Sequence, residues 1–359
     1  MKILYGVQGT GNGHLARARA LTPALRSAGV DIDFVFSGRE RDQFFNMELF
    51  GDDFRCFNGM TFATKNGRLQ PAKTVVTSNI ARLLSDVARL DLKPYDAVIS
   101  DFEPVTAWAA KLKGVPSLGI SHQSAFDYDV PKVTGHQSSK ILMRFFAPTK
   151  HKVGLHWHHF DQQVLPPLIE PQTHKPPIKG KIVVYMGFEA IEEVIKFVTP
   201  FDHCEFHIYA KVDEKRDLGH IKINPLSHQE FHDDLLDADG VISNAGFELA
   251  SECIHLGKKV LIKPLLGQYE QLCNALAIQA LGRGTVIEKL DQQVLEKWLE
   301  SPGHQPANYP DVADAIAKWV INRQWESIDT LVKALWHETS VKQDYDASFG
   351  NQVQPGLIY

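Results

Sequence analysis

A chain of 359 residues exceeds what one ordinary hydrophobic core organises, so two domains of typical size are expected. With 44% hydrophobic and 23% charged residues it is globular, and a formal net charge of −5 excludes the broad basic field that collects nucleic-acid phosphates. No apolar run approaches the roughly 20 residues that cross a bilayer, the start MKILYGVQG lacks the regions of a signal peptide, and the four cysteines show no CxxC spacing, so a reduced, cytoplasmic protein is expected.

Lys2–Gln8 reads as a strand running directly into Gly9-Thr10-Gly11-Asn12-Gly13-His14 and a helix to about Ser27. Such a junction offers an anion the unpaired N–H groups and positive dipole end of a helix start. It is not a dinucleotide fingerprint: His14 stands where G-x-G-x-x-G needs glycine, and the second strand, Asp31–Ser37, does not end in an acidic residue for a NAD ribose. Ser37-Gly38-Arg39 would suit a 2′-phosphate, which keeps an NADP enzyme as a minor alternative.

Arg39–Leu49 reads as a charged helix, Phe54–Phe57 as a short strand, and Gly59–Thr74 as a polar loop, a candidate lid. Within Thr77–Leu90 the helical spacing of Ile80, Leu83, Leu84, Val87 and Leu90 predicts core contact. Tyr95–Ser100 is a strand ending at Asp101-Phe102-Glu103-Pro104; a carboxylate there points into the cleft where parallel sheets bind ligands. A helix through Trp108 leads to the strand Ser117–Ser121 and the turn His122-Gln123-Ser124, whose histidine reads equally well as a capped loop residue.

Pro131–Lys152 carries five basic residues, no acidic one, and the apolar set Ile141, Leu142, Met143, Phe145 and Phe146. That interleaving fits an anionic membrane surface or a lipid-linked acceptor, and equally a buried helix with a basic edge. His156-Trp157-His158-His159 lacks the HExxH arrangement, and strand alternation would split its imidazoles between two faces, so no metal site is expected. Pro166, Pro167, Pro171, Pro176 and Pro177 mark 161–180 as a linker between a first domain at 1–160 and a second at 181–325.

The second domain opens with the strand Lys181–Met186 and Gly187-Phe188-Glu189, followed by strands at Glu205–Ala210 and Ile221–Ile223 and a helix at His228–Asp237. The apolar run Asp239–Ser243 then ends at Asn244-Ala245-Gly246, and a helix pattern starts at once, a second natural seat for a diphosphate. Glu252 follows on the same side as Glu248 by i,i+4 spacing, at a reach that suits ribose hydroxyls. Lys259–Lys263 is a strand ending at Pro264, and the next helix opens with Gln268, Glu270, Gln271 and Asn274, side chains able to bond sugar hydroxyls. Helices at Asp291–Glu300, Pro310–Trp325 and Ser327–His337 complete the pattern; the last is expected to return to the first domain over 326–345, leaving 346–359 as a tail. The plain alternative is an ordinary β-α-β-α unit with Gly246 and Gly257 as turn punctuation.

The loop GTGNGH, Ala245-Gly246, Glu252 with Gly257, Pro264, and Gln271 with Asn274-Ala275 resemble the motifs of GT-B glycosyltransferases. They are similar in particular to the lipid-linked muramyl-peptide GlcNAc transferase and natural-product UDP-glycosyltransferase families. The resemblance implies an α/β fold of two doubly wound Rossmann-like domains facing across a cleft, with a C-terminal helix crossing back. It implies a nucleotide-sugar co-substrate, UDP-sugar first among candidates, and no other cofactor. Gly11, Gly13, Gly187, Ser227, Asn244, Ala245, Gly246, Phe247, Glu252, Gln268, Glu270, Gln271 and Asn274 fall on the donor side, with His122, Gln123 and Glu103 on the acceptor side.

Retaining relatives resemble one another in a Glu-x7-Glu pattern whose first Glu falls here on Asn244, and its absence favours inversion, in which a base takes the acceptor proton. His14 is the candidate base and Asp101 the carboxylate that orients it, as a His and an Asp pair at matching positions in natural-product glucosyltransferases. No Asp-x-Asp motif is read as carrying a divalent metal, so the leaving diphosphate is expected to rely on helix dipoles and backbone N–H groups. The partners expected are the donor, a hydroxyl acceptor that the basic segment makes a candidate for lipid linkage, and, reversibly, the inner face of the membrane. The alternatives are a UDP-sugar 2-epimerase of the same fold, whose extra carboxylates Asp101 and Glu103 would supply, and a non-catalytic sugar-nucleotide-binding protein.

Overall fold

The computed structural model describes residues 1–59, 64–65, 68–69 and 80–339. Most of the candidate lid at 59–74 and the expected tail lie outside them.

Two seven-stranded sheets carry the architecture. The first contains β1 (Lys2–Gln8), β2 (Asp31–Ser37), β3 (Arg55–Phe57), β6 (Ala97–Asp101), β7 (Ser117–Ser121), β8 (His151–Leu155) and β9 (Val164–Leu165), and a small hairpin, β4 (Thr64–Lys65) and β5 (Arg68–Leu69), stands apart. Its order is β3-β2-β1-β6-β7-β8-β9, parallel throughout. The second contains β10 (Ile178–Tyr185), β11 (Glu205–Ala210), β12 (Arg216–Asp217), β13 (Ile221–Pro225), β14 (Ala238–Asn244), β15 (Lys259–Lys263) and β16 (Thr285–Val286), ordered β12-β13-β11-β10-β14-β15-β16. Only the edge strand β12 runs antiparallel. Central strands such as β6 and β15 are buried along their whole length, which is why they read as nearly continuous apolar runs.

Each sheet reverses its direction of growth once, between β1 and β6 in the first and between β10 and β14 in the second. Ligands of open parallel sheets settle outside the carboxyl ends of strands at such switch points. Those ends carry the glycine loop and Asp101 in one domain, and Gly187 and Asn244-Ala245-Gly246 in the other.

Helices cover the sheets: α1 (Asn12–Ser27), α2 (Ile80–Arg89), α3 (Pro104–Lys113), α4 (Gln137–Phe146), α5 (Ile191–Val198), α6 (His228–Asp237), α7 (Phe247–Leu256), α8 (Tyr269–Ala280), α9 (Gln292–Glu300), α10 (Val312–Ile321) and α11 (Asp329–Glu338). Gly257 ends α7 in the left-handed region at φ 70°, where a side chain would also meet the His304 carbonyl. One apolar cluster runs from Leu15 and Leu21 of α1 through Phe247 and Ala250 of α7 to Ile316 and Val320 of α10, so the domains share a core. Trp157 is fully buried where they meet; its indole N–H donates to Ser251 Oγ at 2.8 Å and its carbonyl accepts from Tyr309 Oη at 2.9 Å.

Several expectations change. Arg39–Leu49 is not a helix but two 3-10 turns, Arg41–Gln43 and Glu48–Phe50, separated by Asn46 at φ 53°. The irregular path lets Phe44, Phe50 and Phe54 close around Phe36, with ring centroids 5.4, 5.1 and 5.2 Å away. On α2, Leu83 and Val87 are buried but Ile80 and Leu84 face outward. The linker is shorter than 161–180, because Val164–Leu165 extends the first sheet and Ile178 begins β10. The return to the first domain starts earlier than 326: α10 already packs on α1, and Trp336 of α11 donates to the Val164 carbonyl at 2.7 Å. His156–His159 is a turn, not a strand; the Nδ1 atoms of His156, His158 and His159 accept from the backbone N–H groups of Trp157, Phe160 and Asp161.

Candidate active site

β1 delivers the glycine loop, and α1 begins at Asn12 with Gly11 as its N-cap. β14 delivers Asn244-Ala245, and α7 begins at Phe247 with Gly246 as its N-cap. Neither cap carries a side-chain hydrogen bond, so the first-turn N–H groups of both helices have no capping side chain. A Cβ built on Gly11 or Gly246 would meet nothing within 4 Å, which is the open space an incoming ligand requires. The two starts lie side by side across the domain boundary: a Cβ on Gly13 would stand 3.2 Å from Glu248 Cγ. Each helix start is worth roughly half a positive charge, so the field between them favours negative charge.

Beside them stands a buried ionic cluster. Asp101, fully buried at the end of β6, accepts from His14 Nδ1 at 2.8 Å on Oδ1. Since Asp101 accepts, the proton sits on Nδ1 and the lone pair on Nε2. Arg17, one helical turn after His14 and 2% exposed, grips the same carboxylate through Nε to Oδ2 at 2.7 Å and Nη2 to Oδ1 at 2.7 Å. Its Nη1 donates to Glu248 of the second domain. Burial works against the Arg17 charge, but Asp101 and Glu248 more than offset it and hold its pKa above the ordinary guanidinium value. Burial also opposes ionisation of Asp101, and there Arg17 and His14 win, leaving its carboxyl below the ordinary value. For Glu248 burial wins over Arg17, with Asp101 adding repulsion, and the carboxyl is pushed up to about 7.

The His14 side chain remains 12% exposed. Its ring lies parallel to Phe102 at 6.5 Å, and Phe102 stacks on Phe146 at 4.6 Å. Phe102 holds φ 51°, a conformation costing about 1–3 kcal/mol in a residue with a large side chain. The tight turn is fixed by Ser100 Oγ, which accepts from Glu103 N at 3.0 Å and donates to its carbonyl at 3.0 Å. Sequence reasoning passed over Arg17 and Phe102. The signal for Arg17 was its i,i+3 spacing from His14 on one helix; for Phe102 there was none.

Other candidates are placed differently from expectation. Glu103 is no acceptor contact: it is fully buried and caps α3, accepting from Val105 N at 2.8 Å and Thr106 N at 2.7 Å and from the Ser37 and Thr106 hydroxyls. The Phe247 side chain packs in the core, its ring 3.8 Å from His122 and parallel to it. His122 Nε2 meets Asn274 Oδ1 at 2.7 Å while Asn274 Nδ2 donates to the Ala245 carbonyl at 2.9 Å, so both side chains bind the domains to each other. Gln271 Oε1 accepts from Leu265 N at 2.7 Å and shapes the loop before α8. Gln268 caps α8, and Ser227 caps α6. Asn244 joins strand ends, donating to the Lys263 carbonyl at 3.1 Å and accepting from Phe188 N at 3.4 Å. An added Cβ at Gly187 would meet only the Tyr185 ring and hydroxyl, no nearer than 3.9 Å.

Glu270 accepts from Gln123 Nε2 at 3.0 Å across the boundary, while Gln123 Oε1 is buried without a protein partner. Glu252 is half-buried and accepts from Gln172 at 3.2 Å; loss of hydration, with Glu170 and Glu248 adding repulsion, pushes its carboxyl up to about 8. Arg39 donates to the Gly9 carbonyl and to Asn12 Oδ1, so it buttresses the glycine loop and is not free for a 2′-phosphate. Among the described residues, most aspartates of Asp-x-Asp pairs are matched to a lysine: Asp31 and Asp33 with Lys2, Asp127 with Lys152, Asp237 with Lys181 and Asp239 with Lys259.

Among curated proteins none matches the chain in sequence. Similar solved structures include the Streptomyces sp. SF2575 glycosyltransferase SsfS6 complexed with thymidine diphosphate, at TM-score 0.58 and 12% identity, covering 90% of this chain and 99% of that one. The glycosyltransferase SnogD from Streptomyces nogalater is similar at TM-score 0.54 and 15% identity over 90% and 99%. The glycosyltransferase VinC in complex with dTDP is similar at TM-score 0.52 and 13% identity over 94% and 99%. At these identities the likeness shows the fold, two Rossmann-like domains in the GT-B arrangement. The model of the family described as glycosyl transferase family 1 matches residues 1–301, and the chain is therefore a member of that family, a glycosyltransferase of GT-B fold.

Proposed function

We propose that this glycosyltransferase inverts the configuration of the sugar it moves, taking it from a pyrimidine nucleoside diphosphate sugar to an acceptor hydroxyl without a metal ion. The observation that carries this reading is the His14–Asp101 pair standing beside two uncapped helix starts of opposite domains. The helix starts take the diphosphate and stabilise the charge that grows on it as the glycosidic bond breaks. His14 Nε2 accepts the proton of the attacking hydroxyl, and Asp101 holds the ring and its tautomer. Glu252, one turn into α7, accepts from the ribose. UDP is the donor nucleotide expected from the sequence, and two similar structures carry thymidine diphosphate, which keeps dTDP in the panel. Glu103, spent on a helix cap, is withdrawn from the acid/base groups that an epimerase would need.

The test is a thermal-shift panel of UDP, dTDP, GDP and ADP, followed by sugar transfer from the matching nucleotide sugars to a hydroxyl acceptor library. A ligand specific to the folded state stabilises by about 2.7 kcal/mol at a hundredfold excess over Kd. Transfer that survives chelation, with inverted anomeric configuration by NMR, supports the reading; retention or a strict metal requirement overturns it. Ile141, Leu142 and Phe145 are exposed on α4 beside Arg144, which supports reversible docking of this helix on an anionic membrane that presents the acceptor. No helix among the described residues is long and apolar enough to cross a membrane.

A further inference from the structure

A carboxylate helps a catalytic histidine because its negative charge compensates the imidazolium that forms. In this site that compensation is already taken. Arg17 grips both oxygens of Asp101, and its Nη2 stands 2.9 Å from His14 Nδ1, converging on the same Oδ1. A guanidinium that cannot lose its proton, placed that close, repels an imidazolium. Asp101 and Arg17 together are neutral, so the pair alone orients the ring without favouring its protonation.

The missing charge comes from the other domain. Glu248, in the first turn of α7, pairs with Arg17 Nη1, and its side chain passes over Gly13, the residue before His14. With Glu248 ionised the buried trio carries one net negative charge. The groups facing His14 and this trio are the Tyr5 phenol of β1, buried without a hydrogen-bond partner, Phe102 beyond β6, Glu270 of α8 and Glu252 of α7, both acting on Glu248, and the His122 imidazole, which feels Arg17. Arg17 is the cation of the group.

We propose that Glu248 is a positioning residue supplied by the nucleotide-side domain, and that its charge, relayed through Arg17, makes His14 a competent base only when the two domains are in contact. The inference rests on reading His14 as the base, and it adds that the base is assembled from both domains. It also gives Gly13 a reason: a Cβ there would stand 3.2 Å from Glu248 Cγ and press that side chain, by a few tenths of an ångström, against its place on Arg17.

The readout is NMR of protein carrying 13C-labelled histidine Cε1, with the His14 signal identified by its loss in His14→Gln. In Glu248→Gln, which keeps the shape and removes the charge, the pH midpoint of the His14 signal should fall, by less than the roughly one unit of a neighbour charged throughout, because the Glu248 carboxyl itself titrates at about 7. Gly13→Ala should move it the same way without deleting a charge, and Glu248→Asp should restore most of the wild-type midpoint. The remaining histidine signals report whether each variant is folded; if Glu248→Gln is not, Gly13→Ala and Glu248→Asp still decide. A His14 midpoint that stays put or rises in folded Glu248→Gln or Gly13→Ala makes Arg17–Glu248 a mere latch and overturns the inference. Turnover that survives His14→Ala would instead overturn the base assignment, whatever the midpoint does, so the two failures are separable.

Discussion

β1 hands over to α1 through Gly11, and β14 hands over to α7 through Gly246, in each case at a sheet's switch point and without a capping side chain. The first turn of α1 contains no acidic residue and presents His14, whereas the first turn of α7 contains Glu248, and Glu252 follows it. Identical backbone devices are therefore equipped for different tasks. The junction that carries the imidazole is suited to chemistry, and the one that carries carboxylates along its helix is suited to hydroxyl recognition and to balancing charge. The backbone geometry is shared; the difference lies in which side chain follows the cap.

The sharpest way to break this division is His14→Ala. General-base catalysis typically contributes 10²–10⁴-fold, so turnover should fall by about that factor while nucleotide affinity is kept. A variant within a few-fold of wild type removes the chemistry from the first junction; a loss confined to donor affinity makes His14 a phosphate ligand. At the second junction the pattern should reverse. Glu252→Ala should weaken binding of the nucleoside diphosphate by about 0.5–1.5 kcal/mol, the net range of a hydrogen bond from a carboxyl that stays largely neutral, and calorimetry showing unchanged affinity would take Glu252 out of the site.

A smaller effect concerns pH. The Glu248 and Glu252 carboxyls stand at about 7 and about 8, above the ordinary 4.5, chiefly because burial penalises the charge. Groups harder to ionise in the folded chain stabilise it while protonated, so their contribution is present at low pH and is lost as pH rises from about 4.5 through about 8. They should pull Tm down across that window, and Glu252→Gln should flatten the decline; equal slopes in both proteins would mean that Glu252 is well hydrated. The smallest expected change is Phe145→Ser on α4. Wild-type protein should sediment with anionic liposomes at low salt and the variant less so, because serine removes one of the exposed apolar side chains that would enter the bilayer surface. Equal sedimentation of both would make the exposed face of α4 irrelevant to membranes.

Much of the site was legible because its backbone leaves marks in composition. Gly11, Gly13 and Gly246 announce turns before helices, and Asp101 closes an apolar run, so strand ends and their order could be read from β1, β6 and β14. What escaped depends on packing between segments far apart in sequence. Arg17 on a helix reads as a solvated side chain, and only the meeting of α1 with Asp101 and Glu248 buries it. Asn274 and Gln271 read as sugar ligands because amides are versatile, yet both are consumed by carbonyl, amide and imidazole partners at the boundary and in the loop before α8. Glu103 showed the same ambiguity: an acidic residue before Pro104 is as good a helix cap as a cleft carboxylate, and burial decides for the cap. The 39–49 segment failed for another reason, since its aromatic residues gain more by surrounding Phe36 than its charges gain from a regular helix.

The return of α10 and α11 to the first domain has a consequence for the order in which the molecule can be made. A ribosome releases β1 to β9 long before residues 312–338, yet α1 buries part of its apolar surface only against α10, and the carbonyl of Val164 meets its donor only when Trp336 arrives. Domains generally fold as units in the order of their synthesis. Here the face of α1 that α10 covers stays open until the last helices of the chain emerge, and α7 of the second domain waits as well for residues 304–309, which bond its end.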